Sequence, residues 1–193
     1  MDTWLLAVLL GLGLAAATGL RTFLPLLMLS AAVHFELFGI VVGDSMQWVG
    51  STAALTALAI ATVAEVLADL IPLVDNALFL AGTVTRPIAG ALVAWAAFSN
   101  LDPTWAAIAG IVVGAPTALA VSTAQTGTRA VSTATTAGVG NPVLSVIDST
   151  VSFVTSLIAL VLPLLVIPLL ILFGWLGFKG YGRMRRARRA RTA

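Results

Sequence analysis

Eight acidic and ten basic residues are spread over 193 positions, and several stand in strongly apolar surroundings where charge is costly. Glu65 and Asp69 are four residues apart, so on a helix they share one face. Two carboxylates that close in a low-dielectric setting do not both stay ionised without help. One holds a proton, or a cation or an arginine neutralises the pair. Asp75 follows Pro72 by three residues and can turn back toward them, and Asp148 lies near the start of the last apolar stretch. The only basic residues before position 179 are Arg21, Arg86 and Arg129. Arginine keeps its charge and forms bidentate pairs with carboxylate or phosphate. Three arginines against Glu65, Asp69, Asp75 and Asp148 suit an internal ion-pair network. Such a network either holds a bundle together or binds an anionic group while the acids relay protons or hold a cation. The plainer alternative is that the acids cap a helix end at a wet interface.

A second polar group is the run over residues 122–136. Ser122, Thr123, Gln125, Thr126, Thr128, Ser132, Thr133, Thr135 and Thr136 supply hydroxyls and an amide within an otherwise apolar chain. Irregular backbone at membrane depth is tolerated only where it lines a cavity, so a broken helix there suits a polar path. Thr18, Thr126, Thr133, Thr135 and Thr136 are its candidate lining, and an ordinary hydroxyl-rich loop is the alternative. Asn141 precedes Pro142 and is expected to cap the following helix as well as to border the path.

Other chemistries find little material. There is no cysteine, which removes disulfides, thiolate metal sites and cysteine nucleophiles together. His34 is the single histidine, with no second ligand for a transition metal and no nucleophile elbow to serve. No phosphate loop or dinucleotide fingerprint occurs. No catalytic residue, metal site or cofactor is therefore expected, and the chain is read as a non-enzyme.

The elements that must position these residues are helices in a membrane. The chain is 60% hydrophobic and 9% charged, with mean hydropathy +1.07, whereas a soluble domain carries roughly a quarter of its residues charged. At roughly 20 apolar residues per crossing, about five crossings use nearly all of it. The N-terminus lacks the positive region of a signal peptide, so the first apolar stretch is expected to be retained. That stretch, residues 4–33, is interrupted at Thr18-Gly19-Leu20-Arg21-Thr22 and again at Pro25, which predicts a broken or kinked helix. A second span covers residues 51–71 and a loop or re-entrant segment residues 73–85. A third span opens at Arg86-Pro87 and runs to 98, and a fourth covers 104–123 after the Ser99–Pro103 turn. The last helix begins near Pro142 and is kinked by Pro163 and Pro168. The expected architecture is all-α, a compact bundle of five or six crossings with broken or re-entrant elements, in one transmembrane domain over residues 1–178. The count becomes six if the first stretch is a hairpin of two helices or if residues 124–139 cross.

Seven basic residues cluster in the tail, residues 179–193, which leaves the body with a net charge of −5. The high pI of about 9.9 thus comes from the tail alone. A basic cluster after an apolar helix marks the cytoplasmic side and a seat for anionic lipid, not a nucleic-acid surface. Trp4, Trp48, Trp105 and Trp175 fall near predicted span ends, where aromatic belts sit. Gly110 and Gly114 permit close helix packing, within the subunit or between subunits. Thr18-Gly-Leu-Arg21 echoes Thr126-Gly-Thr-Arg129, and each is followed by an acidic helix turn. With five crossings the two helices run in opposite directions, which predicts an inverted repeat.

Several motifs together resemble one bacterial family. They are Thr18-Gly-Leu-Arg-Thr-Phe-Leu-Pro25, Glu65-Val-Leu-Ala-Asp69, Ile71-Pro72 with Val74-Asp75, Arg86-Pro-Ile-Ala-Gly-Ala91, and Val131-Ser-Thr-Ala-Thr-Thr-Ala-Gly138 with Gly140-Asn-Pro142. The chain resembles domain of unknown function 4126 over nearly its whole length short of the basic tail. Leu70 departs from the pattern, where the family has a lysine; that removes a partner for the neighbouring acids. The resemblance implies a small multi-span membrane protein and names no substrate. The reading that results is a small transporter or channel for an ion or small polar solute, in the bacterial cytoplasmic membrane, forming a homo-oligomer. A lipid-handling protein and a non-transporting scaffold subunit are the alternatives.

Overall fold

The computed structural model describes residues 3–69, 72–136, 138–175 and 179; for residue 3 and residues 72–80 it describes the backbone. Every regular element among them is helical. They are α1 (Thr3–Thr18), α2 (Leu24–His34), α3 (Thr52–Ala68), α4 (Pro72–Phe98), α5 (Pro103–Ala109), α6 (Ala115–Thr136) and α7 (Asn141–Val161). A last apolar helix, α8 (Pro163–Trp175), opens with a 3-10 turn. Pro103–Thr136 and Asn141–Val161 are long and apolar enough to cross a membrane, and the bent pair Asp44–Gly50 with Thr52–Ala68 makes a third if counted as one span.

Side-chain placement is inverted relative to a water-soluble domain. Arg21, Asp69, Arg86, Gln125 and Arg129 are buried, while Ile60, Val63, Val112, Val139, Val146 and Ile171 are exposed. Charge inside and aliphatic surface outside is the arrangement a hydrocarbon solvent selects. The chain has the build of a membrane protein.

Close approaches fix the directions of the central helices. On α1, Gly11 faces Ala94, Ala97 and Phe98, and further along Gly19 lies against Arg86, whose Nη1 reaches the Gly19 carbonyl at 3.3 Å. The two helices are antiparallel. The five-residue π-helical turn Gly110–Gly114 joins α5 to α6 and packs on α4 with the same sense. Gly110 meets Ala91 and Trp95, Gly114 meets Gly90 and Ala94, and Gln125 meets Arg86. A Cβ at Gly114 would stand 2.1 Å from the Gly90 carbonyl oxygen, so the glycine pair closes a contact within the chain.

It follows that α1 and α6 run in the same direction, not opposed as the inverted-repeat reading expects. The difference arises at the break after Thr18: α2 turns back, with its N-terminus against α3 at Glu65 and its C-terminal His34 beside Gly50. Residues 4–33 thus form two helices, the hairpin that the sequence left open. Three further expectations are corrected. Residues 73–85 and the third span form one helix, α4, with Pro87 inside it and not at its start. The polar stretch is not broken, because α6 continues unbroken through Thr136. The break comes afterwards, around Gly138, whose φ of +88° suits glycine. The last apolar stretch ends as a helix at Val161, and Leu162 (φ −136°, ψ 67°) separates it from α8, since Pro163 withholds a backbone donor.

Candidate functional site

α1 contributes about 24 Å of helix from its 16 residues before its backbone opens at Gly19. The opening puts the first N–H groups of α2 without helical partners, and α2 also has a proline at its second position. Glu65, near the end of α3, supplies acceptors for the two residues that lead into α2. Thr22 N–H donates to its Oε1 at 2.9 Å and Phe23 N–H to its Oε2 at 3.2 Å. A carboxylate at a helix N-terminus also complements the helix dipole. One turn further, Asp69 forms an ion pair with Arg21 Nη1, both side chains being buried. The two acids expected to share a face therefore do so, and each has its own partner.

From Arg21 a continuous polar chain crosses the interior. Arg21 Nη2 donates to the Ser145 carbonyl at 2.7 Å, and Arg129 Nη2 donates to the Ser145 hydroxyl at 2.8 Å. Arg129 Nη2 also reaches Asp148 Oδ2 at 3.4 Å, where Gln125 Nε2 donates at 2.5 Å. The Gln125 Oε1 in turn accepts from Arg86 Nη1, and its Nε2 lies 3.4 Å from the Leu20 carbonyl. Arg21, Arg86, Arg129, Asp69 and Asp148 thus meet in one network, linked through Gln125 and Ser145. Asp75 lies on α4, but its side chain is outside the described residues, as are Leu70 and the basic tail apart from Lys179.

Gln125 and Ser145 are the members that charge-based reading passed over. The signal was present in the spacing: Gln125 is four residues before Arg129, and Ser145 three before Asp148, so each shares a helix face with its charged neighbour. The two arginine motifs do echo each other in one respect. Arg21 pairs with the acid that follows its motif, and Arg129 with the acid that follows its own.

The hydroxyl candidates fare differently. Thr126 donates to the Ser122 carbonyl at 2.8 Å, Thr135 to Val131 at 2.9 Å and Thr136 to Ser132 at 2.8 Å. Their protons return to their own helix, and Thr133, Thr135 and Thr136 are exposed. Thr18 is fully buried and donates to the Ala15 carbonyl at 2.7 Å. Asn141 does not cap α7. Its Nδ2 donates to Thr133 Oγ1 at 3.2 Å, while Thr136 Oγ1 accepts from Gly140 N–H at 3.0 Å and ties the two helices across the break. None of these five threonines lines the cleft described next.

That cleft, of about 340 Å³, opens between α2, α3 and α7 against the outer end of the network. Arg21, Thr62, Glu65, Ser149 and Thr150 form its polar wall, and Leu24, Val66 and Phe153 its apolar wall. Val66 and Phe153 are exposed at the rim, so the opening faces sideways out of the bundle.

A family model described as "Domain of unknown function (DUF4126)" matches residues 8–183. No curated protein and no solved structure matches the chain.

Proposed function

The chain belongs to the DUF4126 family, and from that premise and its buried network we propose that it is a small multi-span membrane transporter or channel for an ion or small polar solute. The observation that carries this reading is the cleft at the α1–α2 break, with Arg21 and Glu65 in its wall and the ion-pair network behind them. A broken helix and unshared backbone groups at depth are tolerated where they border a cavity. Buried ion pairs roughly break even against apolar packing, so stability alone is a poor reason to keep them. In this reading the α1–α2 hairpin and the helices α3 to α8 make five or six crossings of a bacterial cytoplasmic membrane. The basic tail lies on the cytoplasmic side, and copies of the chain associate.

A second reading, lipid handling, is favoured by one feature: the cleft opens sideways past Val66 and Phe153, where an acyl chain would lie. A scaffold role needs no cleft, and the open space beside Arg21 argues against it. Flux of protons, monovalent ions and small polar solutes through proteoliposomes of the pure protein, compared with Glu65→Gln, tests the proposal. Transport by the native chain that is lost in the variant is the expected result. No flux from well-folded protein contradicts it, and lipid co-purifying in proportion to Arg21 occupancy would then support the second reading.

A further inference from the structure

The donors and acceptors around the cleft are unequal in number, and the inequality selects a ligand. A serine or threonine hydroxyl has one proton and two lone pairs. Thr62 donates to the Leu58 carbonyl at 2.8 Å, Ser149 to the Ser145 carbonyl at 2.9 Å, and Thr150 to the Val146 carbonyl at 2.8 Å. All three protons are directed into the helices, so each hydroxyl offers the cleft only lone pairs. Glu65 accepts two backbone N–H groups, which leaves about half of its acceptor capacity unused.

Donors are fewer than acceptors. The terminal nitrogens of Arg21 are engaged by Asp69 and the Ser145 carbonyl, and Asp69 balances its charge at contact. Those contacts use two of the five N–H groups of Arg21, and its Nε is buried without a hydrogen-bond partner. Arg86 spends Nη1 on Gln125 and the Gly19 carbonyl, and makes no hydrogen bond to Glu65. The polar wall is therefore rich in acceptors and carries one carboxylate, facing an apolar wall of Leu24, Val66 and Phe153.

We infer that the cleft is a binding site for an organic cation that has N–H donors and an apolar body, a primary or secondary ammonium with an aryl or alkyl group. The ammonium lies against Glu65, Thr62, Ser149 and Thr150, and the body against Phe153 and Val66. A primary ammonium supplies three donors, and a secondary one two, to a wall in which acceptors outnumber donors, and charge-assisted hydrogen bonds are the strong ones. The inference rests on the transport reading for its purpose and deepens it by naming the substrate class.

Three probes with one body separate the possibilities: 4-phenylbutylammonium, its N,N,N-trimethyl analogue and 4-phenylbutyrate. Binding is measured by calorimetry on the full chain in nanodiscs, with empty nanodiscs subtracted. The ammonium is expected to bind at least about tenfold more tightly than the trimethyl analogue, which keeps charge but has no N–H, and more tightly still than the carboxylate. Glu65→Gln is expected to weaken the ammonium about tenfold or more. Phe153→Trp, which fills the cleft without touching a charge or the α2 cap, is expected to abolish its binding and keeps the test usable if Glu65→Gln does not fold. Preference for 4-phenylbutyrate would overturn the inference and make this an anion site at Arg21 and the α2 N-terminus. Equal ammonium affinity in native chain and Phe153→Trp, or no binding of any probe, would also overturn it. Binding without flux in proteoliposomes would refute transport and leave the site standing. Flux that a saturating amine leaves unchanged would refute the site and leave transport standing.

Discussion

At the residue scale, the acids and arginines divide the work differently from a simple charge count. Glu65 is engaged by backbone N–H groups and not by an arginine, while Asp69 and Asp148 hold the arginines. The sequence made the convergence legible, because charges in so apolar a chain have few partners to choose from. It did not reveal the division, since the acceptor demand of α2 exists only once the break at Gly19 has formed. Two expectations follow. Arg21→Met leaves Asp69 buried and unpaired, so it should cost about 3–5 kcal/mol in thermal or denaturant unfolding in detergent. The double variant Arg21→Met, Asp69→Leu should recover much of that loss, because it removes both charges. A double variant as unstable as the sum of the two singles would mean the pair is not one unit. Separately, Glu65→Ala should destabilise by about 1 kcal/mol through loss of the α2 cap, and Glu65→Gln, which keeps one oxygen acceptor, by less.

Among the elements, proline and glycine were the ambiguous signs. Gly19 and the region around Gly138 do interrupt helices, and both were readable as breaks. Pro87 was not: it sits inside α4, where surrounding packing on α1 and α6 outweighs the lost backbone donor. The hydroxyl run misled for a related reason. Serine and threonine in an apolar setting satisfy themselves on the carbonyl four residues back, which leaves α6 continuous. Two glycines, Gly114 between α5 and α6 and Gly174 on α8, give a matched test of packing. Gly114→Ala drives a Cβ into the Gly90 carbonyl and should destabilise the protein by about 1–3 kcal/mol or prevent its extraction. Gly174→Ala, with nothing within 4 Å among the described residues, should be neutral or stabilise slightly, by up to about 1 kcal/mol from helix propensity. A similar melting temperature for both variants would contradict the close α4–α6 contact.

For the whole molecule, hydropathy read the class correctly and the helix directions incompletely. Counting residues 4–33 as one crossing reversed the expected sense of α6, because a single returning helix changes the parity of everything after it. The contacts Gly43 N–H to Ser99 Oγ at 2.7 Å and Asn100 Nδ2 to the Val41 carbonyl at 3.0 Å put the 41–43 and 99–100 segments at one end. The α6–α7 turn lies at the other end of Pro103–Thr136. The chain has no native cysteine, so a single introduced one reports its own position. A cysteine at Asp44 or Asp102 should label from one side of sealed vesicles and a cysteine at Val139 from the opposite side. Labelling of all three from the same side would contradict the crossing of α5–α6. The central claim is that the cleft between α2, α3 and α7 lies on a transport path. Its most direct test is flux through proteoliposomes of the native chain and of Phe153→Trp, with Gly174→Ala as the control for substitution. Flux in the native chain and the control, lost when the cleft is filled, is the predicted result. Equal flux with the cleft filled, or none in the native protein, would contradict it.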